Sequence, residues 1–403
     1  MSQPHPASSP PPGPARGNAA LAWVLVAAMA LPMLVLYAVG TLGPLMARDL
    51  GMAPGALGWI TFAAFGVAAV LSPWAGPLVQ QWGCRRSLVL LFAAAACAYA
   101  AMALAPGLGL LACAVALDGL AQALCNPVTN LLIARQVRPE HRPWMVGVKQ
   151  AGVQVAALLA GALLPTLALW WGWRGALGIL VPLAVLGLLA ARRVAWPQPA
   201  GPRGPLTPAR PQRLLCLLMA AQCGVGAALS VFVVFLPSYT MAQGLELRQA
   251  GNLVALFAVM GIASRVALTP LAARKDSGIP LMLALILAAM AAVALLQLAA
   301  PGRPWPLWIG AGLMGASAVA TNALAMGLVV QGSTFGPTAA ASGWLSAAFF
   351  AGMAAGAPLT AALAHNSLSA AWTGSLASLA VAAMALLQLE RLRRRTPMAR
   401  RTA

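Results

Sequence analysis

Long apolar runs recur along this 403-residue chain, each separated from the next by a short cluster of Pro, Gly and charged residues. A spanning helix needs roughly 20 predominantly apolar residues, and the runs have that length. The first half of the chain predicts spans over 21–46, 55–79, 87–105, 108–134, 144–168 and 174–192. The stretch AWPQPAGPRGPLTPARPQ follows at 195–212, rich in Pro, Gly and Arg and without apolar periodicity. The second half predicts spans over 213–240, 249–272, 279–299, 305–330, 337–364 and 370–390. The pattern describes an all-α membrane protein of twelve transmembrane helices in two six-helix bundles. Its expected organisation is a disordered cytoplasmic tail (1–20), one half (21–194), a cytoplasmic linker (195–212), a second half (213–390) and a basic cytoplasmic tail (391–403). The first twenty residues lack the basic start and short apolar stretch of a cleaved signal peptide.

The two halves are related. At an offset of 193, Pro44, Gly51, Gly58, Pro77 and Leu78 fall on Pro237, Gly244, Gly251, Pro270 and Leu271. At 196, Gly119, Asn126 and Gly147 fall on Gly315, Asn322 and Gly343. Six spans per half is an even number, so both halves enter with the same orientation. Such a parallel repeat suits a substrate site at the interface of the halves, near the bilayer midplane.

Composition excludes an ordinary soluble enzyme: 61% of residues are hydrophobic and 8% charged, where a soluble domain is nearer a quarter charged. The net charge of +19 is an orientation signal. An inside N-terminus places Arg16, Arg85, Arg86, Arg135, Arg138, Arg142, Arg192, Arg193, Arg203, Arg210, Arg213, Arg274, Lys275 and six tail arginines on the cytoplasmic side. Only Arg48, Arg174, Arg248 and Arg303 fall outside. Both termini are therefore expected in the cytoplasm, with the bilayer as partner and no nucleic-acid motif. The scarcity of lysine beside abundant Ala, Gly and Pro points to a GC-rich bacterial genome, hence an inner membrane. Trp23, Trp144, Trp173, Trp196, Trp305 and Trp372 lie near span ends and read as interfacial anchors. The six cysteines form no CxxC pair and read as small core hydrophobes, and the three histidines are far apart, so neither a metal nor a cofactor is expected.

Two stretches carry a resemblance to a known family. The first is Gly76-Pro-Leu-Val-Gln-Gln-Trp-Gly83-Cys-Arg85-Arg86. It resembles the G-x-L-x-D-R-x-G-R-R cytoplasmic loop signature of the major facilitator superfamily, with Gln80 and Gln81 in place of the Asp-Arg pair. The corresponding second-half loop, Thr269-Pro-Leu-Ala-Ala-Arg274-Lys275-Asp276, keeps a remnant. The second stretch runs from Gly119 through Asn126-Pro127, Arg142, Gly147, Lys149-Gln150 and Gly152 to Gly172-Trp-Arg174-Gly175. It is similar to bacterial facilitators that take up cyanate-like or small carboxylate anions. The G-P-x-x-G-G cluster of drug exporters is absent from the fifth span, which has Gly161 and Pro165 instead. The resemblance implies a monomeric twelve-helix transporter whose halves rock about a central site.

The candidate site residues are the polar groups that hydrocarbon should exclude. Asp118, Gln122, Asn126 and Asn130 recur every four residues in the fourth span, with Thr129 beside them, and so form one helical stripe. Asp118 is the only acidic residue deep within a span and suits a group that takes and gives a proton, or one that bonds a neighbouring helix. Lys149 is the one lysine in any span. With Gln150 and Gln154 it suits an anchor for an anionic substrate, or a stem that snorkels to the inner surface. Its depth differs from that of Asp118 by about 16 Å, so the two are not a direct pair. In the second half Arg265 reads as a lipid-phosphate anchor or a substrate contact, and Asn322 joins Asn252, Ser317, Thr321 and Gln331 as polar candidates. Tyr37 and Gln222 are placed to face a cavity, and His365 lies at an outer helix end. No catalytic triad, paired carboxylates or phosphate-cradling loop appears. The expected function is proton-coupled uptake of a small anion by alternating access, with export of drugs or metabolites on the same fold as the alternative.

Overall fold

The structure is a computed structural model that describes residues 16–52, 56–193, 210–272, 278–331, 333–363 and 368–395. Thirteen α-helices are found among them: α1 (Arg16–Asp49), α2 (Ala56–Ala103), α3 (Leu108–Gln136), α4 (Arg142–Ala162), α5 (Leu164–Gly178), α6 (Leu180–Arg193), α7 (Arg213–Ala242), α8 (Leu247–Ala272), α9 (Gly278–Leu296), α10 (Trp305–Ala316), α11 (Ala318–Gln331), α12 (Thr338–Leu363) and α13 (Leu368–Arg395). Helices satisfy every backbone donor and acceptor within one segment, which hydrocarbon demands. Eleven stretches among the described residues are long and apolar enough to cross a bilayer.

That number differs from twelve because the predicted spans 55–79 and 87–105 fall in one apolar stretch, Gly58–Ala103. At 1.5 Å per residue its 46 residues would reach roughly 69 Å unbroken, about twice a hydrocarbon core. Gly83 breaks it, at φ 80° and ψ 159°, a conformation closed to residues with a Cβ. Gly172 (φ 65°, ψ 172°) divides α5 in the same way. The predicted fifth span is also interrupted at Leu163, and the predicted tenth at Ser317, between α10 and α11. Prolines lie inside α1, α2, α3, α7 and α12, where packed neighbours can tolerate them.

Several expectations are corrected. Residues 16–20, assigned to the N-terminal tail, are helical and begin α1. Residues 391–395, assigned to the basic tail, continue α13, with Arg393 and Arg394 paired to Glu390 one turn back. Trp173 and Trp372 are buried. Trp173 donates to Asp49 at 3.0 Å, and Trp372 packs edge-on against Tyr239 at 5.3 Å. Trp23, Trp144 and Trp305 are exposed. Of the cysteines, Cys84 and Cys125 are buried, whereas Cys97, Cys113 and Cys216 are on the outer face of the bundle. Most of the linker, His365, Trp196 and the loop residues Arg274, Lys275 and Asp276 lie outside the described residues.

Helix packing repeats at the offsets found in the sequence. A Cβ on Gly119 would lie 2.5 Å from the Ala64 carbonyl oxygen, and one on Gly315 would lie 2.2 Å from that of Phe257. A Cβ on Gly147 would lie 2.8 Å from the Arg265 oxygen, and one on Gly343 would lie 2.8 Å from the Ser72 oxygen. In each couple both partners are displaced by 193 or 196 residues. The first couple packs helices within each half. The second joins first-half to second-half helices along two seams, α4 on α8 and α12 on α2.

Candidate functional site

The α3–α4 hairpin builds the centre of the molecule. α3 ends at Gln136, and Arg142 closes its C-terminus by donating to the Ala134 and Val137 oxygens at 2.8 and 3.1 Å. A short turn at Pro139–His141 then reverses the chain into α4. Thr129 lies seven residues before the end of α3, and Lys149 seven residues into α4, so they meet at one depth. Lys149 Nζ donates to Thr129 Oγ1 at 2.9 Å and to Asn126 Oδ1 at 3.1 Å. Thr129 hands its own proton to the Cys125 carbonyl at 2.6 Å, leaving a lone pair for the ammonium. Gln150 Nε2 donates to the same Asn126 oxygen at 3.1 Å. Lys149 is fully buried and does not snorkel.

Asn126 and Asn130 also reach across to α12. Their amide nitrogens donate to Ser346 at 3.2 Å and Ser342 at 3.1 Å, two rungs one helical turn apart. Neither serine was singled out from the sequence, because a serine in a span is too common a residue to signal anything alone. Their spacing of four, matching that of Asn126 and Asn130, was the available clue.

Arg265 comes to this cluster from α8. It is 2% exposed, donates through Nε to the Val319 carbonyl at 3.0 Å, and donates through a terminal nitrogen to the Gln150 carbonyl. Its guanidinium therefore points into the protein, away from lipid phosphate. Tyr37, on α1, donates to Gln154 Oε1 at 3.1 Å, and Gln154 packs over Gly261 of α8. The structure thus brings Asn126, Lys149, Gln150 and Arg265 into one hydrogen-bonded cluster, with the Tyr37–Gln154 pair one turn along α4. Among the described residues, no carboxylate pairs with Lys149 or Arg265.

The remaining candidates stand apart. Asp118 and Gln122 are buried further along the α3 stripe, toward its N-terminal end, and among the described residues no group of another helix bonds an Asp118 oxygen. The stretch from Asp118 to Asn126 is about 12 Å of helix. Asn322 donates to Gln222 at 3.2 Å within the second half. In the loop motif, Gly76 and Gly83 are buried, whereas Arg85 and Arg86 are exposed. Arg85 donates to the Arg192 carbonyl at 3.1 Å, tying the turn at Gly83 to the end of α6.

A family model for the Major Facilitator Superfamily matches residues 24–334. Among solved structures, the crystal structure of the human organic anion transporter MFSD10 (TETRAN) is similar, with a TM-score of 0.70 and 17% sequence identity. The match covers 94% of this chain and 100% of that one, and at this identity the likeness is one of fold. No curated protein matches by sequence.

Proposed function

The chain belongs to the Major Facilitator Superfamily, and from that premise we propose that it is a secondary active transporter for the proton-coupled uptake of a small organic anion by alternating access. The observation that carries this reading is the pair Lys149 and Arg265. Both are buried, both are held by neutral acceptors, and among the described residues neither has a carboxylate partner. Removing a charge from water is costly unless another charge offsets it, and a bound anion supplies that charge. The likeness to a human organic anion transporter accords with the reading through the fold alone. An exporter of apolar drugs on this fold would have no use for two unpaired cations at its centre.

In this reading the chain crosses a bacterial inner membrane twelve times as a monomer, with Gly83 and Gly172 each separating two crossings and both termini in the cytoplasm. The seams α4–α8 and α2–α12 are the contacts that loosen and re-form as the halves rock. Asp118, the carboxyl on the stripe, carries the coupling proton, and Gln122 lies between it and Asn126. Uptake of labelled anions by cells expressing the chain, with and without a proton gradient, tests this. Gradient-dependent accumulation that is lost in Lys149→Ala is expected. Unchanged transport in both Lys149→Ala and Asp118→Asn would sink the residue assignments, and drug resistance without anion uptake would favour the exporter.

A further inference from the structure

Hydrogen-bonding capacity around the two cations is lopsided. An ammonium has three N–H donors and a guanidinium five. Lys149 uses two, on Asn126 and Thr129, and Arg265 uses two, on the Val319 and Gln150 carbonyls. Among the described residues the amide nitrogen of Gln154 has no partner either. Against these donors the cluster sets two unmatched amide oxygens, Gln150 Oε1 and Asn130 Oδ1, while Gln122, one turn away, has both its amide nitrogen and its amide oxygen unmatched. The centre therefore holds two formal positive charges and a surplus of donors. Asp118, the nearest buried carboxyl along the stripe, is two helical turns from Asn126.

The two charges also arrive from different directions. Lys149 stands on α4 in the first half and Arg265 on α8 in the second. They are joined through one residue, because Arg265 donates to the backbone of Gln150, next to Lys149. An anion with one charged group would offset one cation and leave the other sealed in the core without a partner. We propose that the ligand is a compact dianion of the short dicarboxylate type, one anionic group facing Lys149 and the other facing Arg265. The Gln154 amide, held by Tyr37 through its oxygen, presents its free N–H groups as neutral donors to the same ligand. The proposal rests on the reading that this centre binds an anion, and it adds the charge of that anion.

The test uses the purified full chain and two size-matched pairs of salts, malonate with propionate and succinate with butyrate, at equal ionic strength. A ligand raises the melting temperature of the state it binds. The dianion of one pair or both should stabilise the wild type at concentrations at least about tenfold lower than its partner. Lys149→Gln and Arg265→Gln should each remove that preference, so that the two members of the pair act alike. Equal stabilisation by both members in the wild type overturns the dianion and leaves the anion site standing. Absence of stabilisation by any of the four salts overturns both. Should either variant fail to fold, the wild-type comparison decides alone.

Discussion

The two halves of this chain share their packing and differ in their chemistry. The glycine contacts repeat, Gly119 on Ala64 as Gly315 on Phe257, and Gly147 on Arg265 as Gly343 on Ser72. The turn after α1 uses Gly51 at φ 60°, and the turn after α7 uses Gly244 at φ 88°. The polar groups mostly do not repeat: Asn126 recurs as Asn322, but at the same offset of 196 Asp118 corresponds to Met314, Gln122 to Ala318, Asn130 to Met326, Lys149 to Leu345, Gln150 to the shorter Ser346 and Gln154 to Phe350. Where Gln154 accepts from Tyr37, Phe350 stacks on Phe65 at 5.7 Å. Arg265 reverses the trend, since its first-half equivalent is Ser72. Under the proposed function, contacts that let helices approach are needed in both rocking halves, whereas a substrate needs one set of ligands. The polar cluster proposed as that set occurs once, built mostly by α3 and α4 and completed by α8 and α12.

The sharpest way to break this comparison is at Lys149 and Leu345. Lys149→Ala removes a buried charge with two hydrogen bonds, and should weaken anion binding by about 2–3 kcal/mol, roughly 30- to 150-fold. Leu345→Ala should lower the melting temperature while leaving affinity within about threefold, because it removes packing alone. Concentration-dependent uptake and thermal unfolding of both variants separate the two effects, and equal losses of affinity would dissolve the distinction between the halves.

The next comparison sets Asp118 against Met314. Asp118→Asn should abolish accumulation driven by a pH gradient while exchange of internal for external anion persists. Met314→Leu should change neither. Loss of exchange in Asp118→Asn would move that residue from coupling to binding.

A third contrast concerns the contacts that do repeat. Gly147→Ala and Gly343→Ala each force a methyl against a backbone oxygen, and overpacking of this kind costs about 1–3 kcal/mol. Similar falls in thermal stability are expected for both. A fall in one alone would show that the repeat in sequence is not a repeat in load. The smallest effect belongs to the rungs between Asn130 and Ser342. A double-mutant cycle to alanine should give a coupling near 0.6 kcal/mol, the typical value for a hydrogen bond between membrane helices.

The fold was largely legible in the hydrophobic pattern. Runs of apolar residues must become helices in a bilayer, and the spacing of Pro, Gly and Arg marks their ends. Gly83 and Gly172, both at positive φ, fall in the gaps 80–86 and 169–173 between predicted spans. The breaks at Leu163 and Ser317, inside predicted spans, were harder to see, because no Pro, Gly or charge stands at either position. The stripe of Asp118, Gln122, Asn126 and Asn130 was legible because four-residue spacing is helix geometry. The convergence of Lys149 and Arg265 was not. They lie 116 residues apart, and nothing local says that α8 docks on α4 where Gly147 permits. Arg265 near a span end is read most simply as a lipid anchor, and only its bonds to the Gln150 and Val319 carbonyls turn it inward.

The most direct test of the central claim is counterflow of a labelled anion in proteoliposomes carrying either the wild type or Lys149→Gln. The anion would be the one that best stabilises the purified chain. Counterflow needs no proton gradient, so it reads binding and reorientation without coupling. The wild type should exchange the anion, and Lys149→Gln should lose nearly all of that exchange while unfolding at a comparable temperature. Exchange at wild-type rate and affinity in Lys149→Gln would show that the anion is held elsewhere.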